Sequence, residues 1–330
     1  MLIGLESLKC GPDAVFVQTD RSVTERMPRF HNLISIQDLT REDIDLILAR
    51  ASEMEEVSVR RSNILKDKIM ACLFFEPSTR TRLSFESAMF RLGGNVLGFA
   101  DVAVSSAGGK GETLADTIKT VERYADVIVI RHPLDGSARV ASEFSAIPVI
   151  NAGSGSEEHP TQALLDLYSI KKMKGKIDGI SISLCGDLKY GRTVHSLAMA
   201  LLHYNVSIRL AAPPQLRMKP AIIEKMLSSG VDVTTVDSVE EGVKDVDVIY
   251  MTRIQKERFP DVREYDAVRG KFRLRLEDVS LMKKDAIILH PLPRVDELDP
   301  AIDSTPQAKY FDQVAAGVVT RMAILDLILN

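Results

Sequence analysis

The stretch IMACLFFEPSTRTR, residues 69–82, joins a buried strand to the beginning of a helix, and it decides the fold class. Its apolar part, residues 69–75, does not alternate with polar residues, which is typical of a strand covered on both faces of a parallel sheet. The polar residues 76–82 follow at once, and apolar residues then recur at helical spacing from Leu83 to Leu92. A strand that leads directly into a helix predicts an α/β fold.

The same alternation of strands and helices continues along the chain. A capping box at Thr40 and Asp43 opens one helix, and further helical patterns lie at residues 159–174, 192–204 and 314–329, the last of them amphipathic. The predicted strands are residues 69–75, 95–99, 126–131, 147–151, 180–185, 206–210, 231–236, 246–251 and 286–289. We therefore predict an α/β protein with two doubly wound parallel-sheet domains joined by helices.

The length of 330 residues is about twice that of a typical domain, which also favours two domains. Gly175 and Gly179 follow a predicted helix, and we place the boundary there. Residues 27–174 then form the first domain and residues 175–313 the second. Residues 1–26 have weak periodicity, and we expect a terminal extension without an essential role.

Charge and cysteine content argue against several classes of protein. The chain has 42 basic and 46 acidic side chains, a net charge of −4, whereas proteins that coat nucleic acid are basic. Its three cysteines form no CxxC pair, so neither a zinc finger nor a disulfide framework is supported, and we expect a reducing cytoplasm. No apolar run approaches the ~18 residues that span a bilayer, so no membrane partner is expected.

The first candidate site follows the strand predicted at residues 69–75. Ser78, Thr79 and Thr81 supply hydroxyl groups there, and Arg80 supplies a fork of donors. The first N–H groups of a helix have no partner within the helix, so this segment is predicted to bind an anion, best of all a phosphate. The alternative is an ordinary helix cap with arginines that face solvent.

Ligands of doubly wound sheets bind beyond the carboxyl ends of the strands, so the residues after the other strands are candidates as well. Arg131 ends one strand. His159 and Gln162 share a face at the start of a helix, where the terminus favours a neutral imidazole that donates a hydrogen bond. Arg192 follows a glycine turn that nearly matches a nucleotide-binding P-loop, but arginine replaces its lysine, and we interpret the turn as an anion site only.

Two further segments follow strands of the second sheet. Arg253 and Gln255 alternate along an extended stretch and so point to the same side. Residues 290–293, His-Pro-Leu-Pro, form a turn that its two prolines stiffen. Carbonyl groups left free in this turn could accept hydrogen bonds from an NH₂ group of a substrate.

Four arginines, Arg80, Arg131, Arg192 and Arg253, are thus predicted to meet at one crevice without an obvious carboxylate dyad. No serine–histidine–acid arrangement, metal-ligand set or cysteine nucleophile is readable, so neither a metal nor a cofactor is expected. The substrates should carry more than one anionic group. The pattern favours direct group transfer between two bound anions by positioning and electrostatics.

Seven segments occur in the order known from one family: FFEPSTRTRLSFE, GKGETLADT, VIRHP, HPTQALLDL, GDLKYGRTVHSL, MTRIQKER and HPLPRVDEL. Residues 28–330 therefore resemble the catalytic chain of the aspartate carbamoyltransferase family. The resemblance implies that carbamoyl phosphate and L-aspartate react to N-carbamoyl-L-aspartate and phosphate, early in pyrimidine synthesis. It further implies that the first domain binds carbamoyl phosphate, that the second binds aspartate, and that the C-terminal helix, residues 314–330, packs back on the first domain.

The resemblance also implies roles for single residues. The catalytic set would be Arg80, Thr81, Arg131 and His159. Carbamoyl phosphate would be bound by Ser78, Thr79, Arg80, Thr81, Ser106, Arg131, His159, Gln162, Pro291, Leu292 and Pro293. Aspartate would be bound by Lys110, Arg192, Arg253 and Gln255.

In the family, a flexible loop from the adjacent subunit of a trimer completes each site. The corresponding loop here is SSAGGKG, residues 105–111, so Ser106 and Lys110 would act across a subunit interface. The resemblance thus implies a homotrimer with shared active sites, and it leaves open whether a separate regulatory chain binds.

Two alternatives are weighed against this function. Ornithine carbamoyltransferase shares the S-T-R-T and H-P-x-Q segments, but Arg253 and Lys110 would repel the ammonium group of ornithine, and the Ser-Met-Gly and His-Cys-Leu-Pro segments of that family are absent. The other alternative is a non-catalytic homologue that only binds anions. The intact Thr81, Arg131, His159 and Lys110 argue against it.

Overall fold

The computed structural model of the protein describes residues 31–60, 62–100, 110–256, 259, 261–270 and 272–330, so the extension predicted at residues 1–26 lies outside the described residues. The α-helices of these parts are α1 Arg41–Ser58, α2 Thr79–Arg91, α3 Leu114–Val121, α4 Ser137–Phe144, α5 Pro160–Lys174, α6 Arg192–Leu201, α7 Pro220–Ser228, α8 Val239–Val243, α9 Val262–Val268 and α10 Tyr310–Leu329. Short 3₁₀ helices lie at Ile36–Asp38, Pro214–Leu216, Glu277–Leu281 and Pro300–Ser304.

Two parallel sheets form the centre of the fold. The first has the strand order β2-β1-β3-β4, and its strands are β1 Ile69–Phe74, β2 Asn95–Phe99, β3 Val127–His132 and β4 Val149–Ser154. The second has the order β7-β6-β5-β8-β9, and its strands are β5 Ser181–Cys185, β6 Ser207–Ala211, β7 Asp232–Val236, β8 Val248–Met251 and β9 Ile287–Leu289. Every pairing is parallel. The predicted α/β fold with two parallel sheets is confirmed.

The strand order places a crevice at one end of each sheet. Chain order reverses between β1 and β3 in the first sheet and between β5 and β8 in the second. At such a switch point the connections leave the two strands on opposite faces, which opens a space beyond their carboxyl ends. The segments that follow these four strands therefore lie where a ligand can reach them.

Short-range signals set the ends of the helices. The Thr40 hydroxyl accepts the N–H of Asp43 at 3.2 Å, and the Asp43 carboxylate accepts the N–H of Thr40 at 2.9 Å, which forms the predicted capping box of α1. Pro160 occupies the first turn of α5, where its missing N–H costs no hydrogen bond. Gly175 ends this helix with a φ of 76°, a conformation that glycine adopts without steric cost.

One apolar cluster joins the two sheets. It contains side chains of β1 and β3 and also of β5, β6 and β8. Leu164 and Leu167 of α5 and Val194 and Leu197 of α6 lie between the sheets and are fully buried. Since α5 packs directly on α6, these two helices fix one sheet relative to the other and hence the shape of the crevice.

The C-terminal helix differs from its prediction. It begins at Tyr310 rather than at residue 314, and it packs against α1, α2 and α5, so it does return to the side of the first sheet. The predicted amphipathic pattern is wrong, because residues 319–326 are all buried. Three neighbouring helices cover this stretch on every side, and a helix of that kind needs no polar face.

Other boundaries differ by a few residues. The helix predicted to reach residue 204 ends at Leu201, because the N–H groups of His203 and Tyr204 bond three residues back, to Ala200 and Leu201, in a tighter turn. The last strand of the first sheet begins at Val149 and continues to Ser154, beyond the predicted end at residue 151.

Two further properties of the described residues concern membrane-spanning length and free thiols. No helix within the described ranges has both the length and the apolar composition that a bilayer span requires. Cys72 and Cys185 are buried free thiols, and burial raises the pKa of each to about 12, so both are unreactive at neutral pH.

Candidate functional site

A cavity of about 580 Å³ lies where the carboxyl ends of the two sheets meet. Its lining includes the predicted residues Ser78, Thr79, Arg80, Thr81, Arg131, His159, Gln162, Arg192, Arg253, Gln255, Pro291, Leu292 and Pro293. Lys110 is exposed and does not line this cavity, and Ser106 lies outside the described residues. The fold thus brings together candidate residues that lie in separate segments of the sequence.

The start of α2 forms one wall of the cavity. Ser78 is the N-cap residue, but its hydroxyl makes no capping hydrogen bond and so does not occupy the first N–H groups of the helix. Thr81 is buried three residues later, whereas Arg80 stays exposed. Partial desolvation in the cavity wall and the nearby Arg253 lower the pKa of Arg80. This wall has the hydroxyls, the N–H groups and the guanidinium that a phosphate requires.

Glu76 holds two arginines that come from different sheets. Its Oε1 accepts a hydrogen bond from Arg131 Nη2 at 2.7 Å and another from Arg192 Nη2 at 2.9 Å. Arg192 Nη1 also lies 3.4 Å from Oε2 of the same carboxylate and donates to the carbonyl of Gly155 at 2.7 Å. Burial and repulsion by Arg192 lower the pKa of Arg131 to about 10, so it stays charged at neutral pH.

His159 lies at the start of α5 and is buried at the floor of the cavity. Its backbone N–H donates to Ser196 Oγ at 2.9 Å, and its ring Nδ1 has no hydrogen-bond partner. Burial, followed by Arg192 and Arg131, lowers the pKa of the imidazole well below its usual value. Burial of the ring thus favours the neutral form that the sequence predicts from the helix terminus. A neutral ring can donate a hydrogen bond without carrying charge.

Asp166 anchors two glutamine side chains beneath the cavity. Its Oδ1 accepts from Gln162 Nε2 at 2.9 Å and from Gln313 Nε2 at 2.6 Å. The other end of Gln313, its Oε1, accepts the backbone N–H of His290 at 2.8 Å. The N–H of Leu292 donates to His290 Nδ1 at 2.8 Å. The turn at residues 290–293 is thus tied to α5 by side-chain hydrogen bonds.

Asp187 fixes the segment that carries Arg253 and Gln255. Its carboxylate accepts the N–H of Gln255 at 3.2 Å, and its own N–H donates to Thr252 Oγ1 at 3.1 Å. A Cβ on Gly186 would lie 2.3 Å from the carbonyl oxygen of Thr252, so this close approach of the two strand ends requires glycine. Arg253 and Gln255 are both half-buried in the cavity wall.

The donor set of the site suits anions rather than cations. Within the ranges that the structure describes, no group of three or more His, Cys, Asp or Glu side chains is placed to hold a metal ion. Apart from the Glu76 carboxylate, which two arginines neutralise, the cavity offers guanidinium, hydroxyl, imidazole and amide groups. Such groups recognise phosphates, carboxylates and carboxamides.

Two family models match the chain, one for each sheet. Residues 31–172 match the carbamoyl-P binding domain of aspartate/ornithine carbamoyltransferases, and residues 178–328 match the Asp/Orn binding domain of the same enzymes. The chain belongs to the aspartate/ornithine carbamoyltransferase family. Membership in this carbamoyltransferase family confirms the resemblance found in the sequence.

Individual carbamoyltransferases resemble the chain over nearly its whole length. The aspartate carbamoyltransferase catalytic subunit of Thermococcus kodakarensis is 55% identical over 301 residues, which are 91% of this chain and 97% of that protein. The same subunit of Methanopyrus kandleri is 53% identical, with 91% and 97% covered.

Solved carbamoyltransferase structures are also similar to the chain over nearly its whole length. The catalytic subunit of M. jannaschii aspartate transcarbamoylase is similar with a TM-score of 0.84 at 50% identity and covers 91% of this chain and 98% of its own. Trypanosoma cruzi aspartate transcarbamoylase, in complex with carbamoyl phosphate and aspartate, has a TM-score of 0.86 at 41% identity, with 91% and 97% covered.

Among the residues of the cavity and its floor that were not identified from the sequence, four have a carboxylate, amide or guanidinium side chain: Glu76, Asp166, Gln313 and Arg321. Glu76 stands in the stretch that predicted the anion site, directly after β1, and a carboxylate at that position was the available signal. Asp166, Gln313 and Arg321 gave no such signal. Arg321 is buried on α10, donates to Ser84 Oγ at 2.9 Å, and has its pKa lowered to about 10 by burial.

Proposed function

We propose that this member of the family is an aspartate carbamoyltransferase, which converts carbamoyl phosphate and L-aspartate to N-carbamoyl-L-aspartate and phosphate in pyrimidine biosynthesis. One observation carries the proposal: the phosphate-type wall at the start of α2 and the arginines that follow β5 and β8 face the same cavity. Two separately anchored cationic surfaces in one cavity suit two anionic substrates that must meet. Relatives of that name at 50–55% identity support the choice.

The phosphate end of the site is formed by the α2 wall. Ser78, Thr79 and Thr81 donate from their hydroxyls and from free helical N–H groups, while Arg80 and Arg131 supply charge. A phosphate bound here is a good leaving group because its negative charge is already matched by these donors.

The reaction proceeds at the carbamoyl carbon. The α-amino nitrogen of aspartate attacks this carbon, a C–N bond forms, and the carbonyl oxygen becomes an oxyanion. Thr81, Arg131 and His159 donate to that oxygen, most strongly when its charge is greatest. The C–O bond to phosphate then breaks with its electron pair, and the amine proton leaves with the phosphate or to water.

The carbamoyl NH₂ group distinguishes this substrate from other acyl phosphates. Gln162 and the carbonyls of Pro291 and Leu292 accept its two hydrogens, and Pro293 closes the turn that presents them. All four residues line the cavity, which supports this assignment.

The aspartate end of the site lies on the second sheet. Arg192 binds the α-carboxylate, and Arg253 and Gln255 bind the β-carboxylate. Both arginines follow strands of the second sheet and line the cavity. L-Ornithine is a poor fit, because Arg253 would repel the ammonium group at its end. The Glu76 carboxylate of the lining is already paired with Arg131 and Arg192, and the Asp187 carboxylate already accepts the N–H of Gln255.

Assembly and location complete the proposal. The chain forms a cytoplasmic homotrimer in which Ser106 and Lys110 enter the site of a neighbouring subunit. Lys110 is exposed and lies outside the lining of its own cavity, which supports a role elsewhere. A loop that must reach another subunit makes the active site depend on oligomerisation.

The direct test is a product assay on the purified full chain. Carbamoyl phosphate with L-aspartate should yield N-carbamoyl-L-aspartate and phosphate in equal amounts, whereas carbamoyl phosphate with L-ornithine should yield no citrulline above the uncatalysed rate. Arg80→Ala serves as the inactive control for both substrates. Citrulline formation in preference to carbamoyl-aspartate, or no turnover at all, would refute the proposal.

A further inference from the structure

Asp166 is the fully buried carboxylate at the centre of the hydrogen bonds that reach the carbamoyl end of the cavity. It lies on α5, one turn after Gln162, and does not itself line the cavity. Its Oδ1 accepts from Gln162 Nε2 at 2.9 Å and from Gln313 Nε2 at 2.6 Å. A carboxylate oxygen can only accept, so both glutamines must turn their NH₂ groups toward it.

This constraint fixes which end of Gln162 faces the substrate. With its Nε2 bound to Asp166, the amide presents its oxygen on the opposite side, toward the cavity that it lines. An amide that rotated by 180° would present donors instead. A donor cannot bind the NH₂ group of a carbamoyl phosphate, whereas an oxygen can.

Gln313 carries the same constraint to the turn at residues 290–293. Its Nε2 is held by Asp166, so its Oε1 is left to accept the N–H of His290 at 2.8 Å. His290 Nδ1 accepts the N–H of Leu292, and its Nε2 therefore donates to Glu297 Oε1 at 2.7 Å. Leu292 has a φ of 54°, a costly conformation for leucine, which persists because these hydrogen bonds fix the turn around it.

We propose that Asp166 is a positioning residue that makes the site selective for an NH₂-bearing acyl phosphate, because it orients the Gln162 amide directly and the carbonyls of residues 291 and 292 through Gln313. The inference rests on the proposed function, since it deepens the recognition of carbamoyl phosphate. Asp166 acts only through these groups and touches no substrate.

The surroundings of Asp166 support this role over a purely electrostatic one. Burial raises its pKa to about 7, and the hydrogen bonds from Gln313 and Gln162 act against that rise. Its second oxygen, Oδ2, has no hydrogen-bond partner. A proton on Oδ2 therefore leaves Oδ1 free to accept from both glutamines, so the orientation persists in either protonation state.

The test compares two ligands that differ only in the group Asp166 is inferred to select. Carbamoyl phosphate carries NH₂ where acetyl phosphate carries CH₃. The dissociation constant of acetyl phosphate divided by that of carbamoyl phosphate measures the selectivity of the full-length protein. Asp166→Leu removes the acceptor and should reduce that ratio by about tenfold or more, since the two glutamines lose their fixed orientation. Asp166→Asn keeps one acceptor oxygen and should retain the ratio to within about threefold.

A matched control separates orientation from general damage to the helices. Asp326→Leu removes another buried carboxylate, one that pairs with Arg50 on α1 away from the cavity, and should leave the ratio unchanged. Equal weakening of both ligands by Asp166→Leu, or the same loss of selectivity in Asp326→Leu, would overturn the inference.

A second variant keeps the test decisive if Asp166→Leu does not fold. Gln313→Met is nearly the same size and cuts the link from Asp166 to His290, so it should also lower the ratio, and an unchanged ratio would overturn the inference. Turnover by the unmodified protein distinguishes a failure of the proposed function from a failure of the inference about Asp166. If it does not use carbamoyl phosphate, the proposed function fails, whereas normal turnover with an unchanged ratio in the variants refutes the role of Asp166 alone.

Discussion

The carboxylate of Glu76 and the guanidinium of Arg192 join the two halves of the fold, with Arg192 Nη2 2.9 Å from Oε1 and Nη1 3.4 Å from Oε2. Glu76 follows a strand of the first sheet, and Arg192 opens a helix after a strand of the second. Both side chains are largely shielded from solvent, where a charge-assisted pair is worth more than on the surface. The position of Arg192 in the cavity therefore depends on Glu76.

Replacement of Glu76 tests this dependence. Glu76→Gln keeps the shape of the side chain but removes the charge that orients Arg192 and Arg131, and we expect kcat/KM for aspartate to fall by about tenfold or more. Steady-state kinetics check this result. Asp237→Asn is the control, because it removes the charge of an exposed pair with Arg217 and should leave the kinetics unchanged. Normal kinetics in Glu76→Gln would show that the arginines need no such anchor.

His159 is expected to act mainly in the transition state. His159→Ala should lower kcat by about 10²–10³-fold while KM for carbamoyl phosphate changes little, because an oxyanion donor contributes most when the charge develops. His203→Ala, which removes a half-buried histidine outside the cavity, is the matched control. A higher KM with an unchanged kcat would make His159 a binding residue instead.

The same residue gives a prediction for pH. Burial and two arginines hold the pKa of His159 well below its usual value, so the ring is neutral from about pH 6.5 upward and its state does not change there. The dependence of kcat on pH should therefore have the same shape in wild type and in His159→Ala between pH 6.5 and 8, although the values of kcat differ. A limb that disappears in the variant would show that the imidazole titrates in this range.

Arg253 is expected to affect one substrate more than the other. Arg253→Ala should weaken aspartate binding by about 10–100-fold and carbamoyl phosphate binding by less than about threefold, because a charge-assisted bond contributes roughly 1.5–3 kcal/mol. Calorimetric titration with each ligand gives the comparison, with Arg217→Ala as an exposed control. Equal losses for both ligands would contradict the assignment of Arg253 to aspartate.

A mixing experiment tests the shared site. Lys110→Ala chains and Arg80→Ala chains, each inactive alone, are combined under conditions that exchange subunits. If sites are shared, each mixed trimer contains one intact site, with Arg80 from one chain and Lys110 from another, and activity returns. Persistent inactivity after exchange has been demonstrated would refute the shared site and remove the main reason to expect a trimer.

Local patterns predicted most of the fold because strands buried on both faces, helix caps and prolines act over a few residues. The capping box of Thr40 and the start of α5 at Pro160 are examples. The all-round burial of residues 319–326 in α10 was missed, since it depends on three helices that are distant in sequence. The pattern within one helix does not show which other helices will pack against each of its faces.

The residues of the candidate site also divide into those that the sequence predicted and those that it did not. Its arginines and hydroxyls were found because each stands directly after a predicted strand, and parallel strands end at a common edge. Asp166 lies a turn further along a helix and Gln313 comes from the C-terminal helix, so only tertiary packing brings them together at 2.6 Å. The sequence therefore predicted the residues that bind the substrates, but not the residues that orient them.

The most direct test of the account is a structure of the protein with N-(phosphonacetyl)-L-aspartate, a single molecule that carries both a phosphate mimic and the two carboxylates of aspartate. We expect the phosphonate at Ser78–Thr81 and Arg131, and the carboxylates at Arg192 and Arg253. A molecule bound in the reverse direction, or outside this cavity, would contradict it.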